Sequence, residues 1–255
     1  MTTAVLTEFR EDGIALITIN RPEAFNALNR AVALGVAEAL DELDRRDDLR
    51  IGIITGAGGT FCSGMDLKAF LKGESPVVEG RGLVGLTETP PRKPLIAAVE
   101  GYALAGGCEI VLACDLVVAA DNAKFGIPEV KRGLVAAAGG LTRLHKRIPY
   151  QIAMELALTG RFLDAERATT YGLVNRLTAP GAALDGALEL ASAIAANGPL
   201  AVQASKQVVA ESDDWPADQR WKLMKEISDP VFASDDAQEG PRAFAEKRAP
   251  KWTGR

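Results

Sequence analysis

The sequence predicts an α/β core followed by a helical C-terminal appendage. Short apolar runs with strand character alternate with helix-spaced apolar stripes up to about residue 178, and only helical patterns follow. Twice, an apolar strand passes through glycines straight into a helix. A chain of 255 residues buries enough surface to hold such a core without disulfides or metal.

Val5 to Arg10 and Ile14 to Asn20 flank Asp12-Gly13, a turn signal between two β-type runs. Asn29 is placed to cap a helix through about Asp47, with Ala33, Val36, Ala37, Leu40 and Leu43 along one stripe. Ile51 to Thr55 reads as a buried strand that ends at the glycine cluster 56–59. Residues 73–92, rich in glycine and proline, read as a long surface loop with one helical turn, and loops of that length often act as lids. Strand character returns at Pro94 to Val99, and an apolar helix runs from about Gly106 to Cys114. Leu116 to Ala120 and Ala123 to Phe125 are short strands. Helical patterns dominate from Gly139. Asp164 to Tyr171 forms a helix that stops at Gly172, Leu173 to Arg176 is the last strand, and a helix from about Ala182 to Ala196 carries Leu184, Leu188, Ala191 and Ala195 on one face. The division falls near residue 195, with 1–195 as the core holding the active site and 196–255 as the helical region.

A net charge of −5 and a pI near 5.2 argue against a nucleic-acid surface, although a local site still suits an anionic small ligand. The three cysteines, Cys62, Cys108 and Cys114, are odd in number and lack C-x-x-C spacing, which fits a reduced, cytoplasmic protein. The first ten residues show no signal-peptide pattern, and no run approaches the ~18 apolar residues of a membrane span.

The two glycine-bearing segments are Ile53 to Leu67 and Ala97 to Ile110. Such a turn leaves N–H groups unpaired at a helix start, and two turns aimed at one spot form an oxyanion hole for a carbonyl gaining negative charge. Taken singly, each reads more readily as an ordinary tight turn, because glycine after a strand is common. Neither is a nucleotide motif, since G-x-x-x-x-G-K-[ST] and a complete G-x-G-x-x-G are both absent.

Glu109 stands in an otherwise apolar helix, and Glu129 follows Pro128 among apolar neighbours. Carboxylates in such settings have raised pKa values suited to acid–base work, or else they are structural ion pairs, for example with Lys131 or Arg132. Asp115 reads as a structural cap or ion-pair partner. The single histidine, His145, lies on a basic surface helix, and Ser63 lacks the G-x-S-x-G elbow, so a Ser/His/Asp triad finds no support. No ligand spacing indicates a metal.

Together these motifs resemble the enoyl-CoA hydratase (crotonase) superfamily along nearly the whole chain. The resemblance rests on Asn20 to Leu28, Phe61 to Lys68, Gly101 to Ile110, Cys114-Asp115 and Phe125 to Glu129. It implies a spiral of repeated ββα units, with a C-terminal helical region used in homotrimers that commonly stack as hexamers. It implies oxyanion donors on the backbone N–H groups of Met65 and Gly106, and a catalytic pair in Glu109 and Glu129. It places an acyl-CoA along Ala24, Ser63, Asp66, Leu67, Lys68 and Pro128, with Phe244 and Lys247 at the nucleotide end, often from a neighbouring subunit. Coenzyme A would be part of the substrate, with no separate cofactor, and neither nucleic acid nor membrane would be a partner.

Two departures from the family pattern stand out. Ala105 occupies a position that is commonly glycine, a small change in size. Gly133 to Gly140 has alanines where hydratases commonly read G-x-x-P-G-x-G-G, which bears on the acyl pocket. The tail from Ala245 to Arg255, with Gly85 to Glu88 and Glu239-Gly-Pro, is similar to carnitinyl-CoA dehydratase-type members. Both glutamates favour addition of water to a trans-2-enoyl-CoA. Carnitinyl-CoA dehydration, double-bond isomerisation and non-catalytic acyl-CoA binding are the alternatives.

Overall fold

Gly13, at φ +82°, reverses the chain between β1 (Val5–Phe9) and β2 (Ile14–Ile19), which pair antiparallel with Val5 opposite Ile19. The computed structural model describes residues 3–255, so Met1 and Thr2, part of the segment read for a leader, lie outside it. Asn29 caps α1 (Arg30–Arg45), its side chain accepting from the Val32 N–H at 3.0 Å. The expected stripe, Ala33, Val36, Ala37, Leu40 and Leu43, is buried. At the other end of α1, the buried Lys93 Nζ donates to the Leu43 and Arg46 carbonyls at 2.8 and 2.6 Å.

β3 (Ile51–Gly56) runs parallel to β2, and α2 (Leu67–Phe70) is one short turn. The region read as a surface loop is different in the structure. It contains the antiparallel pair β4 (Val77–Val78) and β5 (Gly82–Leu83), and it buries Leu83, Val84 and Leu86. A Cβ on Gly85 would lie 2.6 Å from Ala37 Cβ, so this segment docks tightly on α1. Periodicity does not report such tertiary burial.

The chain then makes two similar passes. In the first, β6 (Leu95–Val99) and β7 (Tyr102–Leu104) lead into α3 (Gly106–Ala113). In the second, β8 (Leu116–Ala120) and β9 (Lys124–Gly126) lead into a 3-10 turn at Pro128–Arg132 and then α4 (Gly140–Arg147). α5 (Tyr150–Thr159), β10 (Leu163–Asp164), α6 (Ala165–Thr170) and β11 (Arg176–Thr178) follow. The first strand of each pass joins a six-stranded sheet of order β1-β2-β3-β6-β8-β11, parallel from β2 onward. The second joins a small sheet of order β10-β9-β7. β3 begins an earlier pass of the same kind, because the chain after it bridges β7 at Cys62 and Ala103 before α2. The expected alternation of strand pairs and helices is therefore present, and the two glycine turns occupy equivalent places on neighbouring strands.

The last strand lies later than expected. α6 stops at Gly172 (φ +86°), with Leu173 N donating to Ala168 O and Gly172 N to Thr169 O. This stop turns the buried Leu173 and Val174 back onto the core, and pairing begins only at Arg176. α7 (Ala183–Ala195) covers the second face of the large sheet with Ala187 and Ala191, while Leu184 and Leu188 flank the contact half-buried. α8 (Pro199–Glu211), α9 (Arg220–Phe232) and α10 (Asp235–Ala245) complete the chain. Asp236 pins the tail by accepting from the Thr253 and Gly254 N–H groups at 2.7 and 3.0 Å. No helix among the described residues is long and apolar enough to cross a membrane.

Candidate active site

The two turns are stitched together by backbone. Cys62 N donates to Tyr102 O at 2.8 Å, and Leu104 N to Cys62 O at 2.9 Å. A Cβ on Gly107 would strike the Cys62 carbonyl, and one on Gly64 would lie 2.7 Å from Ala105 Cβ. Glycine at these positions is therefore the condition for close approach.

The peptide of Met65 is clamped on both sides, because Leu28 N donates to Gly64 O at 2.8 Å and Asp66 N donates to Leu28 O at 2.9 Å. Asp66 caps α2 by accepting from Lys68 N and Ala69 N, both at 3.1 Å, and its other oxygen takes Arg21 Nη2 at 2.9 Å. Burial works to raise the Asp66 pKa, but the Ala69 N–H and Arg21 prevail and hold it below the ordinary value. Among the described residues, the N–H groups of Met65 and Gly106 donate to no acceptor. Both donors lie on adjoining turns, Met65 in the loop after β3 and Gly106 at the start of α3.

Ala105, immediately before Gly106, adopts φ +52° and ψ −125°. The departure at this position is therefore one of conformation rather than size, since an L side chain is strained there.

Glu109 sits in the first turn of α3, only 4% exposed. Its Oε1 accepts from Ala138 N at 2.7 Å and Gly140 N at 2.9 Å, so the alanine-rich stretch forms the cradle for this carboxylate. Burial raises the Glu109 pKa, opposed by those two N–H groups and by the charge of Arg143. Glu129 is half-buried on the 3-10 turn behind the buried Pro128, and its Oε2 is buried without a hydrogen-bond partner. Burial pushes its pKa up to about 7, and the neighbouring charge of Glu109 adds to the rise. Neither glutamate forms an ion pair among the described residues: Lys131 lies over the Phe162 ring instead, and Arg132 acts on Glu129 only through its field.

Ala24 lies on a 3-10 turn at Pro22–Ala24, and the next residue, Phe25, accepts from Ser63 N at 3.0 Å. The fold thus brings Ala24 beside the loop of Ser63, Met65, Asp66, Leu67 and Lys68, with Ser63, Leu67 and Lys68 exposed. Phe244 and Lys247 are not part of this cluster. They belong to α10 and the residues just after it, and Phe244 is 88% exposed. His145 is exposed, with Nδ1 3.1 Å from Leu141 O, and Asp115 is structural, binding Leu95 N and Lys206 Nζ. Sequence reasoning missed Arg143, which is half-buried on a helix read as exposed. The available signal was its spacing of three residues from Gly140, one helical turn away.

A family model described as "Enoyl-CoA hydratase/isomerase" matches residues 9–255. The enoyl-CoA hydratase EchA19 of Mycobacterium tuberculosis is 46% identical over 255 residues, covering 94% of this chain and 93% of that protein. A carnitinyl-CoA dehydratase of Citrobacter koseri is 43% identical over 256 residues, covering 96% and 97%. A crystal structure of an enoyl-CoA hydratase from M. tuberculosis H37Rv superposes with a TM-score of 0.98 at 61% identity, covering all of both chains.

Proposed function

The chain belongs to the enoyl-CoA hydratase/isomerase family, and from that premise we propose that it adds water reversibly to a trans-2-enoyl-CoA thioester. The observation that carries the reaction type is the unequal pair of carboxylates: Glu109 is anchored through one oxygen by two N–H groups, while Glu129 has a buried oxygen with no partner.

The thioester carbonyl would accept from Met65 N–H and Gly106 N–H. These bonds strengthen as the oxygen gains charge in the enolate-like transition state, and loss of one such donor typically costs roughly 3 kcal/mol. With Oε1 occupied, Oε2 of Glu109 is available to take a proton from water. The water oxygen bonds to the β carbon, and the double-bond electrons move to the α carbon and carbonyl. Glu129, easily protonated near neutrality, gives its proton to the α carbon. Coenzyme A enters as part of the substrate, and no separate cofactor takes part. The acyl-CoA arm follows Ala24, Ser63, Asp66, Leu67, Lys68 and Pro128.

The same scaffold supports a second reading, carnitinyl-CoA dehydration, favoured by the likeness to the Citrobacter koseri relative. The two are separated by a turnover panel of enoyl-CoAs that includes crotonobetainyl-CoA. Glu109→Gln and Glu129→Gln are each expected to abolish the preferred turnover, and near-normal rates in both would overturn the assignment.

The assembly is read as a homotrimer or a hexamer of two trimers. Exposed Val209, Trp221, Phe232 and Phe244 on the C-terminal helices support a subunit interface, which would also bring Phe244 and Lys247 to a neighbour's nucleotide end. Light scattering on the purified chain tests this. Three buried, unpaired cysteines fit the cytoplasmic reading.

A further inference from the structure

Arg143 is a cation that the reaction above leaves unused. It lies on α4, half-buried, and among the described residues its side chain makes one hydrogen bond, from Nη2 to the Thr87 carbonyl. Thr87 is itself buried, and its Oγ1 accepts from Leu83 N at 2.9 Å. Leu83 in turn lies 3.1 Å from where a Cβ on Gly106 would stand. On its other side, Arg143 Nη1 fills the place of a side chain on Gly139, and Arg143 N donates to Gly139 O at 3.0 Å. Gly139, at φ +101°, is the residue between Ala138 and Gly140, the two whose N–H groups hold Glu109.

We propose that Arg143 is a positioning residue for the water-activating carboxylate. It braces the 138–140 peptide against Thr87, so that both N–H donors stay on Glu109, and it sets a permanent positive charge beside that side chain. The inference rests on the hydration reading with Glu109 as base.

The groups around Glu109 support this role. Glu129, on the 3-10 turn at Pro128–Arg132, is close enough for its charge and that of Glu109 to act on each other, and Arg132 acts on Glu129. α4 carries Arg143 and, one turn on, Arg147, whose charge acts on Arg143; the other titratable groups of α4 point elsewhere, His145 being exposed and Lys146 lying 3.7 Å from Asp214. Of these, Arg143 is the cation whose charge acts on Glu109 and works against the rise caused by burial. A guanidinium stays charged in such a half-buried setting.

The test uses Arg143→Gln and Arg143→Lys in the full-length enzyme. It follows the pH dependence of kcat/KM with crotonyl-CoA and the infrared titration of the Glu109 carboxyl, with Glu109→Gln as the subtraction. In Arg143→Gln the ascending limb and the infrared titration should move up by about 0.5 to 1 pH unit, with kcat lowered roughly tenfold. In the Glu109→Gln background the same change should cost almost nothing further. Arg143→Lys should leave the limb in place and still lower kcat, because an ammonium does not span Thr87 and Gly139 as a planar fork does. An unmoved titration in Arg143→Gln, an equal loss in the Glu109→Gln background, or wild-type kcat in Arg143→Lys would each overturn the proposal. Failure of the wild-type enzyme to hydrate any enoyl-CoA would overturn the hydration reading instead, and the infrared titration would still decide whether Arg143 governs Glu109.

Discussion

Gly64 packs directly against Gly106. A Cβ on Gly106 would stand 3.8 Å from Gly64 Cα, and one on Gly64 would stand 3.4 Å from the Gly106 nitrogen. The two candidate oxyanion donors are therefore held by backbone meeting backbone, on turns that follow adjacent parallel strands, β3 and β6.

Gly64→Ala tests that contact. Gly64 has φ +102°, and the added methyl would meet Ala105 Cβ at 2.7 Å and Leu104 O at 3.1 Å. Both effects push the turns apart, at a cost of about 1 to 3 kcal/mol in stability. The rate of crotonyl-CoA hydration should fall by roughly 100-fold or more, in the range seen when an oxyanion donor is lost. Thermal melting and steady-state kinetics measure the two losses separately, and a variant with wild-type kcat would show that the turns do not need their close approach.

Ala105→Gly should behave in the opposite sense. Ala105 holds φ +52° and ψ −125°, a conformation glycine adopts freely. Relief of that strain is offset by the greater freedom glycine gives the unfolded chain, leaving stability unchanged or improved by up to about 1 kcal/mol. Activity should be retained. A loss of stability on melting would mean that the Ala105 methyl packs usefully against Gly64.

The Arg21–Asp66 pair is expected to act on the oxyanion loop from outside it. Arg21 donates to both Ala27 O and Asp66, and the two side chains are only 19% and 16% exposed. Asp66 Oδ1 still caps α2 when Arg21 is removed, so Arg21→Met isolates the tie between the Asn20–Leu28 motif and the loop. The expected loss is roughly tenfold in kcat, about 1.4 kcal/mol in the barrier. Asp66→Asn should give a similar loss, and the double variant less than the product of the two. Fully additive losses in that cycle would count against a shared role.

What the sequence revealed was local. Asn29 as a cap, Gly172 as a stop, and the apolar stripe of α1 each follow from chemistry within a few residues, and the structure places all three as expected. The carboxylates were conspicuous because apolar neighbours surround them in the chain itself. Burial created by distant segments was not visible. Leu83, Val84 and Leu86 look like loop residues until Gly85 is seen docked on Ala37, and Arg143 looks like a surface cation until Thr87 and Gly139 close over it. The strain at Ala105 was equally hidden, because composition carries no dihedral angle.

Glu129 leads to a prediction about stability as well as rate. Burial raises its pKa from an ordinary 4.5 to about 7, so between those values the folded protein binds a proton that the unfolded chain has released. Stability must then fall as pH rises through this window, and the penalty is complete above it. Glu129→Gln cannot ionise and escapes the penalty. Its melting temperature should match the wild type below about pH 4.5, then exceed it by a growing margin toward pH 8. The same proton is the one offered to the α carbon, so wild-type kcat/KM should decline above about pH 7 as the acid form is lost. Titration of Glu109 would set the acidic limb, and the two limbs belong to the pair rather than to either residue alone. Melting curves of both proteins from pH 4 to 8 give the decisive sign. A variant that loses stability relative to wild type as pH rises would mean that Glu129 is held ionised by a partner, and its role as the acid would fall with it.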